Sequence, residues 1–311
     1  MKVLFVTPVD EKTKERFLAV PEAEITFADR SIVTDEQIAE AEVILGNLPL
    51  SRIAGSSSLK WIQLDSAGAN LYSDLDERVI LTNASGAYGT AISEHMIGCA
   101  LMVQKNLARY LEIQKKHDFI NLGSVNTITA SKVLSVGMGD IGSDFARKMH
   151  ALGAEVYGVR RTVHDKPDYI RELYSTDRID EILPFCDIVG LSMPETPETV
   201  HMFDYDRLHR MKPGSILINV GRGSAIVTND LLRVMQEGYL SGVCLDVTDP
   251  EPLPKNHALW NTENVYITPH ISGRFNAAVT FDYVMNIFYD NLTHYIHNEP
   301  LEHIVDRKIG Y

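Results

Sequence analysis

The sequence predicts an α/β protein made of two units, each built on a parallel β-sheet. Two observations support this class. Short runs of aliphatic and β-branched residues alternate with segments of helical periodicity along nearly the whole chain, which is typical of parallel sheets. The chain also has 311 residues, more than a single hydrophobic core usually accommodates, so two domains are expected.

The first unit is expected to contain four buried strands with helices between them. Apolar runs bounded by turn residues are typical of strands that are covered on both faces. Such runs occupy residues 3–6, 43–46, 61–64 and 79–82. From residue 91 to about residue 116, apolar side chains recur at helical spacing, which predicts one long helix leading into the second unit.

A second alternation of strands and helices follows. Its predicted strands occupy residues 133–136, 156–159, 188–191, 216–220, 243–247 and 265–268. The helical segment at 275–297 has no sheet of its own, so we expect it to pack against the first unit. The predicted domains are therefore residues 1–97 plus 275–311, and residues 98–274.

Charge and hydropathy restrict the class of partner. The 29 basic and 42 acidic side chains give a net charge of −13, which argues against a broad nucleic-acid or anionic-membrane surface. Asp10 and Glu11 come too early for a signal peptide, and no apolar stretch approaches the ~20 residues that span a bilayer. We expect a soluble, cytoplasmic protein.

The three cysteines are expected to be reduced core residues. They are far apart, lie in apolar runs and lack metal-ligand spacing, so neither a disulfide framework nor a metal site is predicted. They are Cys99, Cys186 and Cys244. His95 lies on a predicted helix with apolar neighbours, and we interpret it as a structural histidine.

A glycine motif connects the first strand and helix of the second unit. Gly137, Gly139 and Gly142 form a GxGxxG pattern directly after the strand at 133–136. A glycine-rich turn without a ligand is the structural alternative, but a strand before it and a helix after it favour a Rossmann dinucleotide site. The helix N-terminus would hold the pyrophosphate.

The choice between NAD and NADP depends on the end of the next strand. NAD sites usually offer a carboxylate there to the ribose 2′-hydroxyl, whereas this chain has Arg160 and Arg161. A guanidinium matches the 2′-phosphate of NADP, so we predict NADPH as the preferred cofactor, with NAD as an alternative. The structural alternative is that one arginine stacks on adenine and the other is solvated.

Three residues in short motifs could reduce a 2-oxo acid together. Arg222 could grip a carboxylate with two parallel hydrogen bonds, and His270 could deliver a proton near neutral pH. Glu251 could orient His270 and favour its charged form. Taken singly, each residue is more typical of a solvated loop or a capped strand end.

In several motifs, taken in order, the chain resembles the D-isomer-specific 2-hydroxyacid dehydrogenases. The motifs are the glycines at 137–142, PETPET at 194–199, MKPGS at 211–215, NVGRG at 219–223, LDV at 245–247, EP at 251–252 and PH at 269–270. The resemblance covers nearly the whole chain. It implies a flavodoxin-like substrate domain made from both chain ends, an inserted Rossmann domain, and a homodimer.

The family resemblance also implies roles for individual residues. Arg222 would bind the substrate carboxylate, His270 would protonate the carbonyl oxygen and Glu251 would assist His270. Ala67 and Gly68 would bind a carboxylate through their backbone N–H groups. Further cofactor contacts are implied for Thr90, Asp140, Ile141, Pro194, Thr199 and Asp246, of which Thr90 and Asp246 could equally be caps of a helix or turn.

These observations together predict an NADPH-preferring reductase that converts small 2-oxo acids, such as glyoxylate or hydroxypyruvate, to D-2-hydroxy acids. An NAD-dependent D-3-phosphoglycerate dehydrogenase is the nearest enzymatic alternative. A non-catalytic protein that senses the dinucleotide is an alternative from another class. Arg274, close to His270 in sequence, could influence which substrate tail is accepted.

Overall fold

The computed structural model describes residues 1–273, 275 and 277–307. The chain divides into two compact units, Met1–Tyr88 with Ala278–Tyr311, and Gly89–Ala277. The second unit begins at Gly89 rather than at the expected residue 98, because the helix that starts there packs along its length on another helix of the same unit. Arg274, singled out above, lies outside the described residues.

The strands and helices alternate in the order that the sequence pattern indicates. The strands are β1 Lys2–Phe5, β2 Glu24–Phe27, β3 Val43–Leu45, β4 Trp61–Gln63, β5 Ile80–Thr82, β6 Lys132–Val136, β7 Glu155–Arg160, β8 Glu172–Ser175, β9 Ile188–Leu191, β10 Ile216–Asn219, β11 Gly242–Leu245 and β12 Val265–Ile267. The α-helices are α1 Glu11–Leu18, α2 Asp35–Glu40, α3 Leu50–Ile53, α4 Gly89–Gln104, α5 Leu107–Lys115, α6 Asp140–Ala151, α7 Tyr205–Arg210, α8 Thr228–Gln236 and α9 Ala278–His297.

The first unit contains a parallel sheet with the strand order β2-β1-β3-β4-β5, which is the flavodoxin-like order. The sequence pattern missed β2, because this edge strand alternates exposed and partly buried residues instead of forming an apolar run. Helix α9 packs on this sheet: the Phe288 and Phe5 rings are 5.7 Å apart, and Asn291 Nδ2 donates to Gln63 Oε1 at 2.7 Å.

The second unit contains a parallel sheet with the order β12-β11-β10-β9-β6-β7-β8, which is the Rossmann order extended by β12. Its edge strand β8 was not predicted. The single helix predicted for 91–116 is wrong in one respect, because the chain breaks it into α4 and α5 at Asn106. That residue has a φ of 54°, which is the left-handed region that interrupts a helix.

The predicted fold class is confirmed as two α/β units with doubly wound parallel sheets. Strands such as β3 and β9 are buried at every position, as expected when helices cover both faces. All three cysteines are free and buried, as predicted. His95 on α4 hydrogen-bonds Cys99, which raises the pKa of the imidazole. Among the described helices, none is long and apolar enough to cross a bilayer.

Candidate active site

The turn between β6 and α6 contains the three glycines of the GxGxxG motif. Gly137 has a φ of 95°, a conformation that residues with a side chain rarely adopt. A Cβ on Gly142 would lie 1.7 Å from the Gly137 carbonyl oxygen, so only glycine lets the helix and the turn approach this closely. A Cβ on Gly139 would meet no protein atom within 4 Å, and α6 begins there without a side-chain cap. Open space at an uncapped helix N-terminus fits a pyrophosphate.

Asp140, Ile141 and Thr90 lie at the N-terminal ends of α6 and α4. The Asp140 carboxylate accepts a hydrogen bond from the Gly89 N–H at 2.7 Å, and the Thr90 carbonyl accepts one from Lys148 Nζ at 3.2 Å. The side chain of Asp140 therefore holds the start of α4. The sequence pattern did not indicate this contact, because the two residues are 51 positions apart.

The two arginines lie at the carboxyl end of β7, next to the glycine turn. Arg160 is the last residue of β7 and is partly exposed, and Arg161 is exposed. Since β7 pairs with β6 in parallel register, Arg160 lies at the same edge of the sheet as Gly137. The charge of Arg161 also contributes to lowering the pKa of Glu198, after the larger effect of a hydrogen bond from Thr196.

The loop that contains Pro194 and Thr199 is closed by its own hydrogen bonds. The Thr199 hydroxyl donates to the Pro194 carbonyl at 2.8 Å and accepts from the Thr196 N–H at 2.8 Å. The loop follows β9, the strand next to β6. The Thr199 hydroxyl is thus used to fix the loop.

Arg222 follows β10 and is fixed by the glycines on either side of it. A Cβ on Gly221 would lie 2.6 Å from the Met193 carbonyl oxygen, and one on Gly223 would lie 2.0 Å from the Thr248 carbonyl oxygen. Both glycines are therefore required by close backbone packing. Arg222 is partly exposed, and one of its terminal nitrogens donates to the Gly221 carbonyl at 2.8 Å.

Asn219 is a positioning residue that the sequence analysis did not single out. It ends β10 and is fully buried. Its Nδ2 donates to the Arg222 carbonyl at 2.9 Å, and its Oδ1 accepts from the Gly221 N–H at 3.1 Å. A buried asparagine whose side chain hydrogen-bonds the backbone two or three residues further on is typical of an Asx turn. The position of Asn219 shortly before the GRG motif was therefore the sequence signal that could have indicated this role.

His270 and Glu251 form a direct pair. His270 Nδ1 lies 2.7 Å from Glu251 Oε1, and both side chains are partly exposed. His270 has a φ of 51°, and its N–H donates to the carbonyls of Asp246 and Thr268, both at 2.9 Å. Because Nδ1 faces the carboxylate, Nε2 is the ring nitrogen available for proton transfer to a ligand.

Asp246 follows β11 and holds the turn that carries His270. One carboxylate oxygen accepts from the Thr268 hydroxyl at 2.6 Å and from the Ile271 N–H at 2.9 Å. The other accepts from the Ser272 N–H at 3.0 Å and from the Ser272 hydroxyl. Burial favours the neutral acid, but these hydrogen bonds outweigh it and lower the pKa of Asp246.

The four acceptor positions of the Asp246 carboxylate are thus occupied within the turn. The expected contact with a nicotinamide carboxamide would require one of these bonds to be shared or replaced. Of the two interpretations that the sequence left open, the contacts of Asp246 match the turn cap.

We predict that Asp246→Asn lowers the free energy of unfolding by about 1–3 kcal/mol. The reason is that the amide nitrogen of asparagine would face hydrogen-bond donors whose bonds the carboxylate accepts. A carboxyl group with a lowered pKa stabilises the fold above its unfolded-state pKa, and this contribution is lost as the pH falls through the folded-state pKa. The difference between wild type and variant in urea unfolding should therefore shrink at acid pH. Asp165→Asn, at an exposed carboxylate, is the control. A difference that persists unchanged at acid pH would contradict this account.

In the first unit, the turn after β4 contains Ala67 and Gly68. All the carbonyls of residues 65–68 accept hydrogen bonds from protein donors, namely the Tyr88 hydroxyl, the Ala84 N–H, the Asn83 amide and the Ser66 hydroxyl in turn. Within the described residues, the N–H groups of Ala67 and Gly68 have no protein acceptor. Successive unpaired N–H groups in a turn can form an anion-binding nest.

The predicted site residues thus fall into two groups. Arg222, Glu251 and His270 lie on loops at the carboxyl ends of neighbouring strands of the second sheet, which also carries the glycine turn and the two arginines. Ala67 and Gly68 lie at the carboxyl edge of the first sheet. Carboxyl edges are where parallel α/β sheets bind their ligands.

The chain is similar in sequence to known proteins. Residues 97–272 match the family described as D-isomer specific 2-hydroxyacid dehydrogenase, NAD binding domain. A glyoxylate reductase of Thermofilum pendens is 30% identical over 201 residues, which cover 62% of this chain and 59% of that protein.

Two solved structures resemble the whole chain. A D-isomer specific 2-hydroxyacid dehydrogenase family protein of Aeromonas salmonicida is 29% identical, with a TM-score of 0.89 over 98% of this chain and 99% of that one. An NADPH-dependent glyoxylate/hydroxypyruvate reductase of Sinorhizobium meliloti, solved with NADP and sulfate, is 25% identical, with a TM-score of 0.84 over 100% of this chain and 99% of that one.

Proposed function

Since this chain belongs to the D-isomer specific 2-hydroxyacid dehydrogenase family and is an NAD(P)-dependent oxidoreductase, we propose that it reduces small 2-oxo acids to 2-hydroxy acids, which have the D configuration where C2 is a stereocentre. Glyoxylate and hydroxypyruvate are the proposed substrates and NADPH is the proposed reductant. The observation that supports this most is the His270–Glu251 pair at 2.7 Å, on a turn held by Asp246, with Arg222 on a loop of a neighbouring strand.

In this proposal, residues of the second unit donate the proton and bind the substrate. A reduced nicotinamide, when bound, would supply hydride to the carbonyl carbon. Arg222 binds the substrate carboxylate through its guanidinium and polarises the carbonyl. His270 gives the proton on Nε2 to the carbonyl oxygen as it becomes an alcohol, and Glu251 stabilises the protonated ring through Nδ1.

The residues of the glycine turn and its surroundings fit a dinucleotide. Gly139 and the first turn of α6 would hold the pyrophosphate. Arg160 and Arg161 would contact the 2′-phosphate that distinguishes NADP from NAD. The NADPH preference is supported by this pair of cations and by the NADPH dependence of the Sinorhizobium meliloti relative.

Replacing Arg160 with aspartate should shift the cofactor preference toward NADH. The change removes a cation from the 2′-phosphate and adds a carboxylate that repels it, while the same carboxylate can accept hydrogen bonds from the ribose hydroxyls of NADH. We expect the NADPH/NADH ratio of kcat/KM to fall by at least about tenfold. Steady-state kinetics with both cofactors, at low and high salt, measure this ratio.

Arg171→Asp is the matched control, because Arg171 is exposed and directly precedes β8, at the amino edge of the same sheet. It makes the same charge change away from Arg160 and should leave the ratio unchanged. An unshifted ratio in Arg160→Asp, or a wild type that already prefers NADH, would contradict the NADP assignment while leaving the reductase assignment intact.

The proposal also includes substrate-carboxylate binding by Ala67 and Gly68, supported by the unpaired N–H groups of that turn within the described residues.

The proposal further includes a cytoplasmic homodimer. Helix α5 has no buried residue, and apolar side chains on it and after it are exposed, namely Leu107, Leu111, Phe119 and Ile120. A second copy of the chain would cover such a surface.

A panel of 2-oxo acids assayed with NADPH and with NADH tests this proposal. We expect the highest kcat/KM with glyoxylate or hydroxypyruvate and NADPH. A preference for oxidising 3-phosphoglycerate with NAD would instead support the phosphoglycerate dehydrogenase alternative.

A further inference from the structure

A buried carboxylate lies directly before the turn at residues 66–68 in the first unit. The Asp65 side chain is only 7% exposed and accepts a hydrogen bond from the Thr7 hydroxyl at 2.7 Å. Burial and, next, the charge of Asp65 raise the pKa of Tyr72 to about 12. An anionic side chain therefore lies within a few residues, in sequence, of the N–H groups that are proposed to bind a substrate carboxylate.

Arg30 pairs with this carboxylate. Its guanidinium hydrogen-bonds Asp65 Oδ2, and its Nε donates to the Val6 carbonyl at 3.2 Å. The Arg30 side chain is 37% exposed, so the cation lies between the buried carboxylate and the solvent. Among the described residues, Arg30 is the only cation that forms an ion pair with Asp65.

The two groups also share the framework of the turn. Asp65 begins the turn: its carbonyl accepts from the Tyr88 hydroxyl, and its N–H donates to Asn47 Oδ1 at 2.9 Å. The carboxylate and the unpaired N–H groups of Ala67 and Gly68 thus belong to one hydrogen-bonded segment. The negative charge of Asp65 would oppose the binding of an anion at those N–H groups unless a cation compensated that charge.

We propose that Arg30 is a positioning residue that neutralises Asp65 and thereby allows the turn at Ala67 and Gly68 to bind the carboxylate of a 2-oxo acid. This inference rests on the proposed function, because it takes the turn as the site of a substrate carboxylate. It predicts that the charge of Arg30, rather than its contacts, governs substrate binding.

A purely structural ion pair would behave differently. Removing either partner would leave an uncompensated buried charge or an unpaired donor and lower stability, but it would not change substrate affinity in proportion to charge. The distinguishing measurements are the split between KM and kcat and the rescue of one charge change by another.

The experiment compares Arg30→Gln, Asp65→Asn and the double variant in the full chain. Arg30→Gln should raise the KM for glyoxylate about tenfold or more, less so at high salt, with kcat and the KM for NADPH within about twofold. Adding Asp65→Asn should return the KM to within about threefold of wild type. Arg52→Gln is the control, because Arg52 bonds Asp35 at 2.6 Å and the Val33 carbonyl at 2.8 Å in the same unit.

Arg30→Lys provides a second variant if Arg30→Gln does not fold. It keeps the charge and loses the planar fork, so the KM should stay close to that of wild type even where stability falls. A KM unchanged in Arg30→Gln, a double variant as impaired as Arg30→Gln, or a tenfold higher KM in Arg30→Lys would overturn the inference.

The failure of the proposed function can be told apart from the failure of this inference. If the wild type reduces no 2-oxo acid, the function is wrong, and calorimetric titration with inorganic sulfate then tests the turn directly. Weaker sulfate binding by Arg30→Gln, restored by Asp65→Asn, would support the inference. Equal sulfate binding by all variants would overturn it.

Discussion

Replacing His270 with alanine is expected to reduce the turnover of 2-oxo acids by about 10²–10⁴-fold, the usual contribution of a general acid. The affinity for NADPH should change little, because His270 lies after β12 whereas the glycine turn follows β6. His270 has a positive φ, so His270→Asn is a second variant, since asparagine tolerates that backbone conformation. Stopped-flow turnover and fluorescence titration of NADPH measure the two quantities.

The chain offers a closely matched control for this prediction. His209 and Glu237 form another histidine–carboxylate pair at 2.7 Å, also partly exposed, but His209 lies on α7 rather than on a strand-end loop. His209→Ala should leave kcat near the wild-type value. If His270→Ala and His270→Asn both retained near wild-type turnover, His270 would not be the proton donor.

The Arg222→Lys variant is expected to show the second largest effect. Lysine keeps the positive charge but loses the planar pair of donors that matches a carboxylate. We expect kcat/KM for glyoxylate to fall by about 10²-fold, as when a substrate is misplaced by about 1 Å. Thermal unfolding should be little affected, since Arg222 is partly exposed and, within the described part of the chain, its side chain hydrogen-bonds only the Gly221 carbonyl.

Arg210→Lys, at an exposed arginine at the end of α7, controls for the general effect of this exchange. Kinetics indistinguishable from wild type in Arg222→Lys would mean that Arg222 is only a loop residue. A large loss of stability with normal kinetics in the folded fraction would also contradict the role assigned to it.

The sequence predicts all the central strands but misses β2 and β8, two of the four edge strands, for a physical reason. Central strands of a parallel sheet are covered on both faces, so they leave an apolar run such as that of β9. The edge strands β2 and β8 are partly solvated and contain Glu24 and Glu172 at their first positions, so their pattern resembles a loop.

The site residues show the same division between local and distant causes. The motif around Arg222 is visible in the sequence, but the reason for its glycines is contact with Met193 and Thr248, which no local pattern reveals. Likewise, the sequence leaves two roles open for Asp246, and its contacts with Thr268, Ile271 and Ser272 appear only when β11 and β12 lie side by side.

The pairing of Arg30 with Asp65 was not predicted at all. The two residues are 35 positions apart, on loops that follow β2 and β4, and β2 itself was missed. Charged residues at strand ends are common in any α/β protein, so neither residue carries a signal by itself. Only the strand order brings the cation to the buried carboxylate.

The central claim is that the strand-end residues of the second unit reduce 2-oxo acids with NADPH. The most direct test is to mix the full chain with NADPH and hydroxypyruvate, follow the loss of NADPH absorbance and determine the configuration of the glycerate formed. The proposal predicts multiple turnovers that yield D-glycerate and that depend on His270. Tight binding of NADPH without oxidation by hydroxypyruvate or any other 2-oxo acid would contradict it and would support a dinucleotide-sensing protein instead.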